Sequence, residues 1–159
     1  MYKIGVVALA LALMACGVQA KAQDVTWTLA DSDATGALAY SDPGDGTLIV
    51  ATRLSQPAPL DGAPDFSGFI VTLKPDCTAM NEVIISLVYY AADKSVTISG
   101  DSGGTAQDID TGGAAGPDDL VTARCHGEAL PALETFSGDT NGVQDWLDAE
   151  MAKKAAAGT

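Results

Sequence analysis

The sequence predicts a small α+β domain: an antiparallel sheet of about five or six strands, a short helix near Cys125, an amphipathic C-terminal helix and one disulfide. Three observations predict it. Short runs rich in β-branched and aromatic residues, separated by Gly/Pro/Asp turns, fill the first two thirds of the chain. Beyond residue 139 the apolar period changes from two to that of a helix. Two cysteines, Cys77 and Cys125, remain once an export leader is set aside.

The leader comes first in chain order. Lys3 and the amino terminus make a positive start, and Ile4–Ala15 is an apolar run too short for a bilayer-spanning helix, which needs ~20 residues. Val18-Gln19-Ala20 and Ala20-Lys21-Ala22 then offer small-residue cleavage sites. Residues 1–22 therefore read as a signal peptide and 23–159 as one exported domain, periplasmic or secreted. Leu13-Met14-Ala15-Cys16 gives the alternative, a lipobox in which Cys16 is lipidated and the protein becomes an outer-membrane lipoprotein held by acyl chains. Under either reading Cys16 is unavailable for pairing. In an oxidising compartment Cys77 and Cys125 are then expected as a disulfide closing a loop of about 48 residues, worth ~4 kcal/mol in the chain-entropy model.

The strands follow in order. Asp24–Ala30 (DVTWTLA) and Gly36–Ser41 are the first two candidates, and Pro43-Gly44-Asp45-Gly46 is a turn. Thr47–Leu54 alternates, with Leu48, Val50 and Leu54 on one face. Gln56–Asp65 carries three prolines and is expected as a loop. Phe66–Lys74 is the next strand. Glu82–Tyr90 (EVIISLVYY) is apolar on nearly both faces, which suggests a central strand covered on both sides. Ala91–Lys94 turns the chain into a hairpin partner at Ser95–Gly100. Residues 101–116, rich in Gly and Asp, read as a loop.

Pro117-Asp118-Asp119 starts the short helix, with Asp118 as its cap, ending at Cys125. The last helix runs from about 140 to 156, capped by Asp139 or Thr140. Its stripe is Val143, Trp146, Leu147 and Met151, and Glu150 is spaced to pair with Lys154.

Charge narrows function. The chain has 21 acidic and 8 basic residues, net −13, with 47% apolar residues and a mean hydropathy of +0.17. The apolar content favours a packed core over a disordered chain. Acidity on this scale argues against nucleic-acid binding, which needs basic patches. Removing 1–22 takes away Lys3 and Lys21 and no acid, which deepens the imbalance. Seventeen of the acids are Asp, the acid of turns, so the charge is expected on loops.

Several motifs bear on chemistry. Gly100-Asp101-Ser102-Gly103-Gly104 copies the segment around a trypsin-like nucleophile, but the only histidine, His126, follows the serine, and the chain is too short for a two-barrel protease. A nucleophilic cysteine beside His126, or a zinc site built from two thiols and one imidazole, is a weak reading. Asp31-Ser32-Asp33-Ala34-Thr35-Gly36, with Asp42 at the twelfth position, follows the oxygen spacing of a calcium loop; Asp31, Asp33, Thr35 and Asp42 are the candidate ligands. Asp108, Asp110, Asp118 and Asp119 form a second acidic group. No dinucleotide fingerprint, P-loop or nucleophile elbow is present. The expectation is a non-enzymatic binding domain with no cofactor and a protein partner. A calcium-binding module using the Asp31–Asp42 loop is the alternative, and a hydrolase the second alternative.

With these elements in place, residues 27–126 resemble the surface-adhesin protein E family of small exported bacterial proteins. The residues that carry the resemblance are Trp27, the turn into Ala39-Tyr40-Ser41-Asp42-Pro43, the strand Thr47–Arg53, and Phe66–Cys77 with its Asp-Cys ending. Val83–Lys94 with its paired aromatics and Pro117–Cys125 complete the pattern. The resemblance implies an antiparallel sheet with helices packed on it, a Cys77–Cys125 disulfide, and lipid anchoring in some members. It further implies an adhesion-like role, binding extracellular-matrix and serum proteins of a host.

Overall fold

The computed structural model describes residues 25–60, 62–101, 106–108 and 116–158. The expected signal peptide 1–22 with its candidate cleavage motifs, Cys16, Ser102 and Asp110 lie outside them.

In chain order the elements are β1 (Val25–Ser32), β2 (Gly36–Ser41), β3 (Leu48–Leu60), β4 (Ala63–Asp76), β5 (Asn81–Tyr90), β6 (Val96–Asp101), β7 (Ala106–Asp108), α1 (Pro117–Cys125), β8 (Thr135–Gly138) and α2 (Thr140–Ala157). The strands form one sheet in the order β6-β5-β4-β3-β2-β1-β8, with β7 continuing the β6 edge along β5, and every pairing is antiparallel.

The sheet has eight strands, more than the five or six expected. Two of the extra pieces, β7 and β8, are only three and four residues long. Runs so short carry no readable alternation.

Two other expectations are corrected. The stretch 56–65 is not a free loop, because β3 and β4 extend through it as a long hairpin. Its prolines are tolerated because the ladder is broken there: register slips on both sides of Ala58, and only Ala58↔Phe66 and Leu60↔Ala63 pair. A residue without an N–H costs little where no ladder bond is made. Likewise, β5 is not central but second from an edge; Ile85 is 39% exposed and most of its other apolar side chains are half-buried.

Each face of the sheet carries a helix. On one face Trp27, Leu29, Ala39, Ala51 and Ile70 pack against Val143, Leu147 and Met151 of α2. On the other, Leu38, Tyr40, Leu48, Val50, Val71 and Leu73 pack against Leu120 and Val121 of α1. The period-two alternation of β3 separates the two cores, Leu48 and Val50 to one and Ala51 to the other.

Polar side chains fix α2 over β1–β3. Asp139 caps it, accepting from the Gly142 N–H at 2.7 Å. Arg53, 4% exposed, donates from Nε to Asp148 at 2.8 Å and from its terminal nitrogens to the carbonyls of Ala91 and Ala92 at 3.1 and 2.8 Å. Lys94 pairs with Asp145 and, at 3.0 Å, with Asp148. Glu150 pairs with Lys153 rather than the expected Lys154, at 2.5 Å. Trp146 is only half-buried and stacks on Phe136, ring centroids 5.3 Å apart, whereas Gln144 in the same stripe is fully buried.

Candidate binding groove

The α1 face is covered unevenly. The Cys77–Cys125 disulfide ties the end of α1 to the β4–β5 turn. Arg124 ties it also to the β2–β3 turn, donating to the Thr47 carbonyl at 2.8 Å and facing Asp42 at 3.3 Å. At the start of α1 Gly116, not Asp118, is the capping position. Its N–H is taken by the Asp119 carboxylate at 3.1 Å. A nine-residue helix held this way leaves the sheet beyond its first turn open.

Along this side runs one row of directly paired residues, open at its ends and buried at Leu38. Asp31 faces Leu38, Leu38 faces Thr52, Thr52 faces Phe69, Phe69 faces Tyr89 and Tyr89 faces Ile98. Partners directly opposite across antiparallel strands share a face, so the row runs across six strands on the α1 side. From Asp31 to Tyr89 it spans four inter-strand steps, ~19 Å.

Two connected spaces lie along this row. The larger, about 580 Å³, is lined by Asp31, Asp33, Thr35, Leu38, Thr52 and Phe69 with Gly116 and Pro117 of α1. The smaller, about 190 Å³, is lined by Phe66, Phe69, Leu73, Ile84, Leu87 and Tyr89, by the buried Glu82, and by Pro117 and Asp118 of α1. Phe69 and Pro117 belong to both, so the two are halves of one groove. Its aromatic end is a cluster of rings packed edge to face: Phe66–Tyr89 at 4.9 Å, Phe69–Tyr89 at 6.1 Å and Phe66–Phe69 at 6.2 Å.

The other end carries exposed carboxylates, Asp31 and Asp33. Asp33 is exposed and closes the β1–β2 turn, its carboxylate accepting from the Thr35 hydroxyl (2.7 Å), the Thr35 N–H (2.6 Å) and the Gly36 N–H (2.9 Å). The Thr35 hydroxyl foremost, then the two backbone donors, hold its pKa below the ordinary 3.8, so it is charged at neutral pH. Among the described residues neither half of the groove is lined by Lys, Arg or His.

The candidate calcium ligands are not brought together. Asp31, Asp33 and Thr35 share the β1–β2 end, but Asp42 lies beyond the far end of β2, ~13 Å along the strand from the Leu38 that faces Asp31. There it turns the chain, accepting from the Gly44 N–H at 2.9 Å, and meets Arg124. Among the described residues no three of His, Cys, Asp and Glu gather in a metal-holding group. Of the second acidic group, Asp118 and Asp119 start α1, and Asp108 closes β7. With both sulfurs in the disulfide, neither Cys77 nor Cys125 supplies a thiolate. His126 is exposed, 3.8 Å from Glu128.

Sequence reading missed the groove, although β5 carried a signal for it. A strand apolar on both faces needs cover on both, and here one face has only the first turn of a short helix. No family model, no curated protein and no solved structure is found to match this chain.

Proposed function

We propose that this is a small acidic exported domain that binds a protein partner without turnover, using the α1-side groove. One observation carries the reading: apolar and aromatic side chains from β4 and β5 lie in a row across the sheet, half-buried, in an open concavity beside a helix pinned by a disulfide. A contiguous apolar surface left this way marks an interaction or ligand-binding site. Half-buried aromatics at the centre of such a patch are the kind of side chain that anchors protein interfaces. The adhesion-like resemblance of residues 27–126 points in the same direction. So does export, since surface and periplasmic proteins meet their partners in the compartment where a Cys77–Cys125 disulfide persists.

The test is capture of envelope and extracellular-matrix proteins on the immobilised exported protein, compared with a Phe69→Ser/Tyr89→Ser variant whose disulfide and melting curve are checked. Proteins retained by the wild type and lost by the variant support the reading. Identical capture by both, or no capture above background, overturns it.

A further inference from the structure

Resting on that binding reading, we infer that the partner presents a short basic and apolar peptide segment, laid across the strands rather than along them. Its lysine or arginine meets Asp31 and Asp33, and an aromatic or branched aliphatic side chain meets Phe69 and Tyr89.

The argument is one of charge and length. The groove carries carboxylates at both ends but presents them unequally: Asp31 and Asp33 are exposed at the β1–β2 turn, whereas at β4–β5 three rings stand with the buried Glu82 and the half-buried Asp118 of α1. A cation is favoured at the first end by two exposed Asp charges with no described basic residue beside them to compete. An acidic or phosphorylated segment is repelled there, and a wholly apolar one leaves those charges facing nothing.

Thr52 stands midway, and its buried hydroxyl has no hydrogen-bond partner among the described residues. That places a polar group under the centre of the segment. The ends are ~19 Å apart, and an extended chain rises ~3.3 Å per residue, so the basic and apolar side chains belong about six residues apart.

The experiment is fluorescence anisotropy with four labelled eight-residue peptides on the exported protein. One has two arginines at one end and Trp-Leu at the other. The second replaces Arg by Glu, the third places all four residues adjacent, and the fourth keeps the arginines and replaces Trp-Leu by Ser. The first is expected to bind tightest, and the Glu and Ser versions at least tenfold more weakly. Asp31→Asn/Asp33→Asn keeps the side-chain oxygens that close the turn and removes both charges. It is expected to weaken the first peptide about tenfold, the size of two exposed charge contacts, and to flatten its salt dependence.

Equal binding of the Arg and Glu peptides overturns the charge assignment. Equal binding of the spaced and adjacent peptides overturns the crosswise placement. If none of the four binds while the Phe69/Tyr89 variant still loses captured proteins, the peptide inference fails and the groove reading survives. If the variant captures everything the wild type does, the groove reading itself fails.

Discussion

Replacing Gly68 by alanine probes how closely α2 is seated on the sheet. A Cβ there falls 2.4 Å from the Gln144 side-chain oxygen, 2.8 Å from the Thr52 carbonyl oxygen and 3.2 Å from the Arg53 side chain. The amide is the end of a flexible side chain but is fully buried, and the carbonyl belongs to the backbone of the neighbouring strand. Overpacking of this kind costs about 1–3 kcal/mol, and the Gln144 bond to the Thr52 carbonyl, already 3.4 Å long, is worth about 1 more. Against this, alanine lowers the entropy of the unfolded chain by about 0.5–1 kcal/mol. The net is about 2 kcal/mol, or roughly 6 °C in Tm for a domain of this size. Gly100→Ala is the control, since nothing lies within 4 Å of its Cβ. Urea and thermal melts by circular dichroism read both. In a Gln144→Ala background Gly68→Ala should cost about 1 kcal/mol less. A Gly68→Ala melt within 1 °C of wild type, or a strictly additive double variant, contradicts this seating of α2.

The other expectations concern the staple, the buried arginine and pH. Cys77→Ser/Cys125→Ser removes a link of sequence separation 48, worth ~4 kcal/mol, and should lower Tm by about 10–15 °C; non-reducing mass spectrometry of the wild type should show no free thiol among the two. Arg53→Met removes three hydrogen bonds, one of them to a carboxylate, and should cost about 2–4 kcal/mol by urea titration while leaving the fold intact.

On the acid side, Asp33, Asp45 and Asp93 have pKa values below 3.8, chiefly through Thr35, Thr47 and Ser95 side chains. Their stabilisation is present above about pH 4 and is lost as pH falls through the lowered values. On the alkaline side, the partners Asp145 and Asp148 raise Lys94 above 10.5, and burial raises Tyr40 and Tyr90 above 10.0. These contributions are present below about pH 10 and are lost as pH rises through the raised values, so stability should plateau between the two limits. Lys94→Ala should soften the alkaline limb in urea midpoints taken across that range, and an unchanged limb contradicts the Lys94 pairing.

What the sequence revealed and what it hid follow from the range of each interaction. β2 was legible residue for residue because Gly36 and Pro43 punctuate it, and α2 because Asp139, the apolar stripe and the late lysines agree. The disulfide followed from cysteine number and the expected compartment, and the structure joins Cys77 to Cys125. By contrast, β8 is four residues whose strand identity comes from pairing with β1, more than a hundred positions away in the chain. The 56–65 hairpin was hidden because its prolines are permitted only by a ladder interruption that no local pattern announces. The alternation of Thr47–Leu54 gives no sign that Arg53 is buried. It is buried because the β5–β6 turn offers it two carbonyls and α2 a carboxylate. The groove was the least visible feature, since its row takes one residue from each of six strands.

Site-specific photo-crosslinking in cells that express the protein tests the groove most directly. A benzophenone side chain is placed singly at Phe69 and Tyr89 in the groove, and at Thr72 and Ser86, which bond each other at 3.1 Å on the opposite face of the sheet. The groove account predicts discrete protein adducts from Phe69 and Tyr89 and none from Thr72 and Ser86. Adducts from Thr72 and Ser86 alone, or with equal yield from both faces, contradict it.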